Sequence, residues 1–78
     1  MDRITKFLRK LQPKLRQQLK DVIAQLMRNE TKGLDIAPLS RKPHWYRCRV
    51  GTVRIIYFKN KQGSAVIYEI GFRGDVYK

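Results

Sequence analysis

The chain has one cysteine, Cys48, and only six acidic residues among its 78. A lone cysteine rules out an intramolecular disulfide. With a single histidine beside it, no four-ligand zinc cluster of Cys and His can be assembled. A reducing, cytoplasmic setting fits that usage. Long apolar runs are missing too: nothing approaches the ~18 residues of a membrane span, and no apolar signal segment follows the N-terminal charges. The expectation is a soluble chain with no membrane partner, no metal and no small-molecule cofactor. Proline and glycine are sparse, at three and five, so the places where they fall punctuate the chain.

What is abundant is positive charge. Eighteen Lys and Arg against six Asp and Glu give a formal net charge of +12. Such an excess stores self-repulsion and selects polyanionic partners. Nucleic acid leads; an acidic protein or an anionic surface comes behind it. A chain this short makes a marginal core unless its layers pack compactly, and one domain over residues 1–78 is expected.

Apolar residues at Ile4, Phe7, Leu8, Leu11, Leu15, Leu19, Val22, Ile23, Leu26 and Met27 recur at steps of three, four and one. That spacing predicts an amphipathic helix over about 2–30. Pro13 cannot donate an interior helical bond but suits a first turn. It therefore splits the stretch into helices over about 2–11 and 13–28, with Gly33 as terminator. Residues 34–44 hold Pro38 and Pro43 and read as a loop. Strand signals follow over 45–50, 53–59 and 65–72, rich in aromatic and β-branched residues. The predicted fold is α+β: an N-terminal helical hairpin on one face of a three-stranded antiparallel sheet spanning about 45–72.

Gly51-Thr52 suits a two-residue type II′ hairpin. That loop pairs Val50 with Val53, Arg49 with Arg54, Cys48 with Ile55 and Arg47 with Ile56, and opposed residues share a face. Tyr46, Cys48, Val50, Val53, Ile55 and Tyr57 then face the helices, and Arg47, Arg49 and Arg54 face away. A four-residue turn at 60–63 carries the register on, pairing Tyr57 with Val66, Ile55 with Tyr68 and Arg54 with Glu69. Val66, Tyr68 and Ile70 join the core side. Glu69 and, by alternation, Arg73 join the arginines. Like charges opposed across strands destabilise a sheet, so Arg49 facing Arg54 needs a reason. Either Glu69 bridges Arg54 and water solvates the rest, or the face holds phosphates, which guanidinium forks match bidentately. Trp45 and Phe72 are candidates to stack bases, with core packing as the alternative. Lys78 adds a terminal cation. The helix cations Lys6, Arg9, Lys10, Lys14, Arg16 and Lys20 read as a solvated face.

Two segments carry a resemblance. Trp45-Tyr46-Arg47-Cys48-Arg49-Val50-Gly51-Thr52-Val53-Arg54-Ile55-Ile56-Tyr57 and the closing Ile70-Gly71-Phe72-Arg73-Gly74-Asp75-Val76-Tyr77 resemble two motifs of the RelE/ParE toxin superfamily, in order and at similar separation. Phe7, Leu8, Leu11, Pro13 and Lys14 resemble its helical hairpin. The resemblance implies the toxin of a type II toxin–antitoxin pair. A RelE-like member would be a metal-independent endoribonuclease that cuts mRNA on the ribosome and inhibits translation. A ParE-like member would poison DNA gyrase, and a degenerate one would only bind. An acidic, partly disordered antitoxin is the implied partner, and an open edge on the last strand would suit strand addition.

By the same resemblance Arg47 and Arg49 stand at the positions of two site lysines. Arg54, Arg73 and Tyr77 match the other catalytic positions. Arg54 and Arg73 would stabilise phosphorane charge, and Tyr77 would orient the nucleotide or assist proton transfer. The chain departs from the pattern in two ways. Phe72 stands where the family usually has histidine, and the strand that usually precedes the first helix has no counterpart before Ile4. Arginine stays protonated, so Arg49 makes a poor general base. Glu69 is left as a possible base or salt-bridge partner, and His44 as a loop histidine near the first strand.

Overall fold

The computed structural model describes residues 3–72. Two helices, α1 (Arg3–Arg9) and α2 (Pro13–Met27), precede four strands: β1 (Asp35–Pro38), β2 (Trp45–Val50), β3 (Val53–Lys59) and β4 (Ala65–Phe72). The strands form one antiparallel sheet in the order β1-β2-β3-β4. Both helices pack against β4. No helix among the described residues is long and apolar enough to cross a membrane.

The helical split falls where Pro13 places it, at the first turn of α2. Gln12 gives α2 no side-chain cap. Arg16 instead reaches back to the end of α1, its Nε donating to the Leu8 carbonyl at 3.1 Å and its Nη2 to the Leu11 carbonyl at 2.9 Å. Carbonyls at a helix end lack intrahelical donors, so Arg16 is a structural clasp of the hairpin and not one more solvated cation. The terminator of α2 is also earlier than expected. Asn29 adopts φ +57°, and the Asn29 and Glu30 amides donate to the Leu26 and Gln25 carbonyls at 3.1 and 2.8 Å. This Schellman arrangement ends the helix before Gly33 is reached.

The predicted three-stranded sheet has a fourth strand. Asp35–Pro38 pairs with β2, with Asp35 opposite Arg49 and Ile36 opposite Cys48. Proline is tolerated here because β1 is an edge, where one side of the backbone needs no partner.

The β2–β3 register is the one that the two-residue loop dictates, from Val50↔Val53 through Arg47↔Ile56. Gly51 lies at φ +59° while Thr52 is not left-handed, as a type II′ turn requires. The β3–β4 register differs. Lys59 pairs with Ala65, so five residues make the turn. There Asn60 Oδ1 accepts from the Gln62 and Ser64 amides at 3.0 Å each. A bulge follows: Tyr57 pairs with Ile67 and Ile56 with Glu69, leaving Tyr68 without a partner. The longer turn moves Val66 off the predicted core side, where Ile67 replaces it. The bulge adds a second offset, which returns Ile70 and Glu69 to their expected faces but pairs Glu69 with Ile56, not Arg54.

One core joins the layers. Leu8, Leu11, Leu19, Val22 and Leu26 from the helices meet Cys48, Val50, Val53, Ile55, Tyr57, Ala65 and Ile70 from the sheet. Met27, the last residue of the apolar stripe, is half exposed. Burial pushes the Cys48 thiol up to about 11, with the Asp35 carboxylate adding to it. Burial likewise pushes the Tyr57 hydroxyl up to about 12. Both groups bind their proton more tightly folded than unfolded, so their contribution to stability is complete below the unfolded values and falls as pH rises. For Cys48 the window runs from about 9 to about 11. Urea midpoints measured across that window should decline, and Cys48→Ala should flatten the decline; an identical slope in the variant would contradict the assignment.

Candidate nucleic-acid interface

The face of the sheet turned away from the helices is organised in rows. One row crosses the strands as Asp35, Arg49, Arg54 and Gly71; the next is Ala37, Arg47, Ile56 and Glu69. Beyond them Trp45 opposes Phe58. The three arginines come together because alternation along β2 places Arg47 and Arg49 on one side, and the tight Gly51-Thr52 turn brings Arg54 directly opposite Arg49.

The repulsion between Arg49 and Arg54 is eased from β1. Arg49 Nε donates to Asp35 Oδ2 at 3.0 Å. The expected bridge from Glu69 to Arg54 does not form, because the bulge sets Gly71 opposite Arg54. Glu69 lies instead 3.8 Å from Arg3 Nη1. Both pairs are partly exposed, and such pairs contribute about 0–1 kcal/mol.

Arg47 and Arg54 are different. Their Nε atoms are shielded from solvent and have no hydrogen-bond partner. Small residues flank both: Ala37 beside Arg47 and Gly71 beside Arg54. A shielded donor without an acceptor costs free energy. An anion laid across the face would supply the acceptor once either guanidinium turns outward to meet it, and bidentate contact to phosphate oxygens is the geometry that guanidinium favours.

Aromatic surface adjoins the arginines. The Trp45 ring lies 4.8 Å from Phe58 and 5.0 Å from Tyr68, the second contact edge-on at 78°. Lys42 Nζ sits 5.3 Å from the Trp45 ring centre. Tyr68, expected in the core, is 58% exposed here because the bulge turns it outward. A pocket of about 290 Å³ opens between this cluster and the β1–β2 connection, lined by Leu39, Ser40, Lys42, Trp45, Ile56, Tyr68 and Glu69.

Arg47, Arg49, Arg54, Trp45 and Glu69 thus share the face. Phe72 does not. It pairs with Val53, on the helix side, and its ring meets Phe7 edge-on at 5.1 Å. A base stacked with the arginines would not reach it. Arg73, Tyr77 and Lys78 lie outside the described residues. His44 adopts φ +68° just before β2, and with Lys59, Asn60 and Lys61 it lines a separate pocket at the end of β2 away from Arg49. Residues 34–44 read as loop, which hid Asp35 and Lys42; the bulge hid Tyr68. Phe58 was within reach, since the hairpin register extended two steps from Arg47↔Ile56 places it against Trp45.

No family model matches this chain, and no curated protein matches it. Among solved structures it is similar to a chain of the RelB-RelE antitoxin-toxin complex from Methanococcus jannaschii, with a TM-score of 0.76 and 23% identity, covering 94% of this chain and 87% of that one. The two chains share a fold, which in this chain sets two helices on one face of a four-stranded antiparallel sheet.

Proposed function

We propose that this chain is the toxin of a type II toxin–antitoxin system and acts as a RelE-like endoribonuclease on mRNA at the ribosome. One observation carries the reading. Arg47 and Arg54 present shielded, unpartnered Nε donors on a single sheet face, beside aromatic rings suited to bases. Metal-free cleavage forms a bond from the ribose 2′-oxygen to phosphorus and breaks the bond to the 5′-oxygen, leaving a 2′,3′-cyclic phosphate and a 5′-hydroxyl. The 2′-hydroxyl gives its proton to water, the 5′-oxygen takes one up, and cations are needed where phosphorane charge develops. Arg54 fills that role on β3, with Arg47 holding a neighbouring phosphate. Arg49, kept in place by Asp35, adds positive potential along the same row. The resemblance assigns Arg73 and Tyr77 to the same chemistry. An acidic antitoxin is the partner this reading implies, since it would neutralise part of the +12 charge.

A second reading is favoured by the carboxylates. Asp35 accepts from Arg49, Glu69 faces Arg3, and Phe72 is turned to the helices. A RelE-fold chain built this way would bind nucleic acid without cutting it, or act on gyrase as ParE does. Translation-coupled cleavage separates the two. The first reading expects cuts in translated mRNA that need Arg54 and Arg73; intact translated message at inhibitory protein levels would leave the second.

A further inference from the structure

The row Arg47, Ile56, Glu69 has an unusual composition for three neighbouring positions on a sheet: a cation, an apolar residue 6% exposed, and a carboxylate. Adjacent strands lie about 4.8 Å apart, so the Arg47 and Glu69 backbones stand roughly 10 Å apart. Trp45 and Tyr68, in edge-on contact with each other, form one corner beside Ile56, and Lys42, on the connection after β1, holds its ammonium 5.3 Å from the Trp45 ring centre. The pocket volume of about 290 Å³ is close to the roughly 300 Å³ at which small-molecule sites begin.

An apolar floor with aromatic walls takes a flat ring. The polar groups say which ring. Glu69 offers two carboxylate acceptors; only Oε1 is paired, to Arg3 at 3.8 Å, longer than a hydrogen bond, so a base edge that binds both oxygens displaces only that loose contact. Lys42 brings donors. Guanine is the base whose edge carries two parallel donors, N1–H and the N2 amino group, next to the O6 acceptor. A carboxylate meets both donors at once, and an ammonium meets O6. Adenine and cytosine set one amino donor beside an acceptor nitrogen, which a carboxylate repels. Uracil sets its one N–H between two carbonyls.

We propose that this pocket receives a guanine of single-stranded RNA, with Glu69 on its N1–H and N2 amino edge, Lys42 on O6, Trp45 and Tyr68 against its rings, and Arg47 on the adjoining phosphate. The assignment rests on the RNA-binding reading of the face and adds base selectivity to it.

The test is fluorescence anisotropy with two labelled oligouridines at low salt, one carrying a central guanosine and the other a central adenosine. The full chain is expected to bind the guanosine oligomer about tenfold or more tightly, the discrimination typical of a bidentate base contact. Glu69→Gln should bring the ratio close to one, and Lys42→Met should reduce it. Because Lys42 is on an exposed connection, its variant keeps the test open if Glu69→Gln disturbs the sheet. Equal affinities in the unmodified chain, or a ratio that survives both substitutions, would overturn guanine recognition while leaving the RNA-binding face intact. Failure to bind either oligomer would overturn the face itself.

Discussion

Arg54→Ala should lower translation-dependent mRNA cleavage by about a hundredfold or more while leaving the protein folded. The size follows from the role: removing one preorganised donor from a developing oxyanion typically costs about 10²–10³ in rate. The preserved fold follows from the surroundings. Arg54 Nε has no hydrogen-bond partner to lose, and Gly71 opposite it brings no side chain to rearrange. Truncation also removes the like-charge opposition with Arg49. Arg54→Lys should recover only part of the activity, because lysine keeps the charge but not the planar fork. Arg49→Ala is a less clean change, since it also frees the Asp35 carboxylate. Cleavage assays paired with thermal melts separate the two effects. A melt lowered in step with activity for Arg54→Ala would make the residue structural.

Leu19→Ala should have the largest effect on stability. Leu19 is fully buried at the centre of α2, within the core shared with Cys48, Ile55 and Tyr57. Truncating a buried leucine costs about 2–5 kcal/mol, from lost transfer energy and the cavity left behind. A chain of this length has roughly 4–12 kcal/mol in total at typical values per residue. Each kcal/mol moves the melting temperature by about 4–8 °C in a domain of this size, so the variant should melt far below the unmodified chain. Met27→Ala, at the exposed end of the same stripe, should change stability by no more than about 0.5 kcal/mol. Calorimetry of both variants checks the contrast; equal shifts would mean that the core is not centred on Leu19.

Both substitutions bear on what could be read from the residues alone. The helices were legible because the apolar stripe is periodic and Pro13 can occupy only a first turn. The β2–β3 hairpin was legible because a two-residue turn leaves one register, and with it the placement of Arg47, Arg49 and Arg54. The β3–β4 pairing was not. A five-residue turn and a bulge at Tyr68 each add one residue, and nothing in local composition announces either. Their offsets add to a shift of two residues, an even number that leaves Ile70 and Glu69 on their expected faces but against other partners, while Val66 and Tyr68 changed sides. β1 was hidden because it is a four-residue edge containing a proline, with Ile36 as its one inward aliphatic residue packed on the core. Missing β1 meant missing Asp35, and so the answer to the opposed arginines. Arg16 looked like surface charge because its partners are carbonyls of another helix, which charge patterning does not reveal.

The central claim is that RNA lies on the sheet face that carries Arg47, Arg54 and Trp45. Trp45 is the chain's one tryptophan, so its fluorescence reports on that face alone. Titration with single-stranded RNA at low salt should quench or shift Trp45 emission in step with binding, and added salt should reverse both together. RNA that binds, by the anisotropy of its own label, while Trp45 emission stays unchanged would place the interface elsewhere and contradict the account.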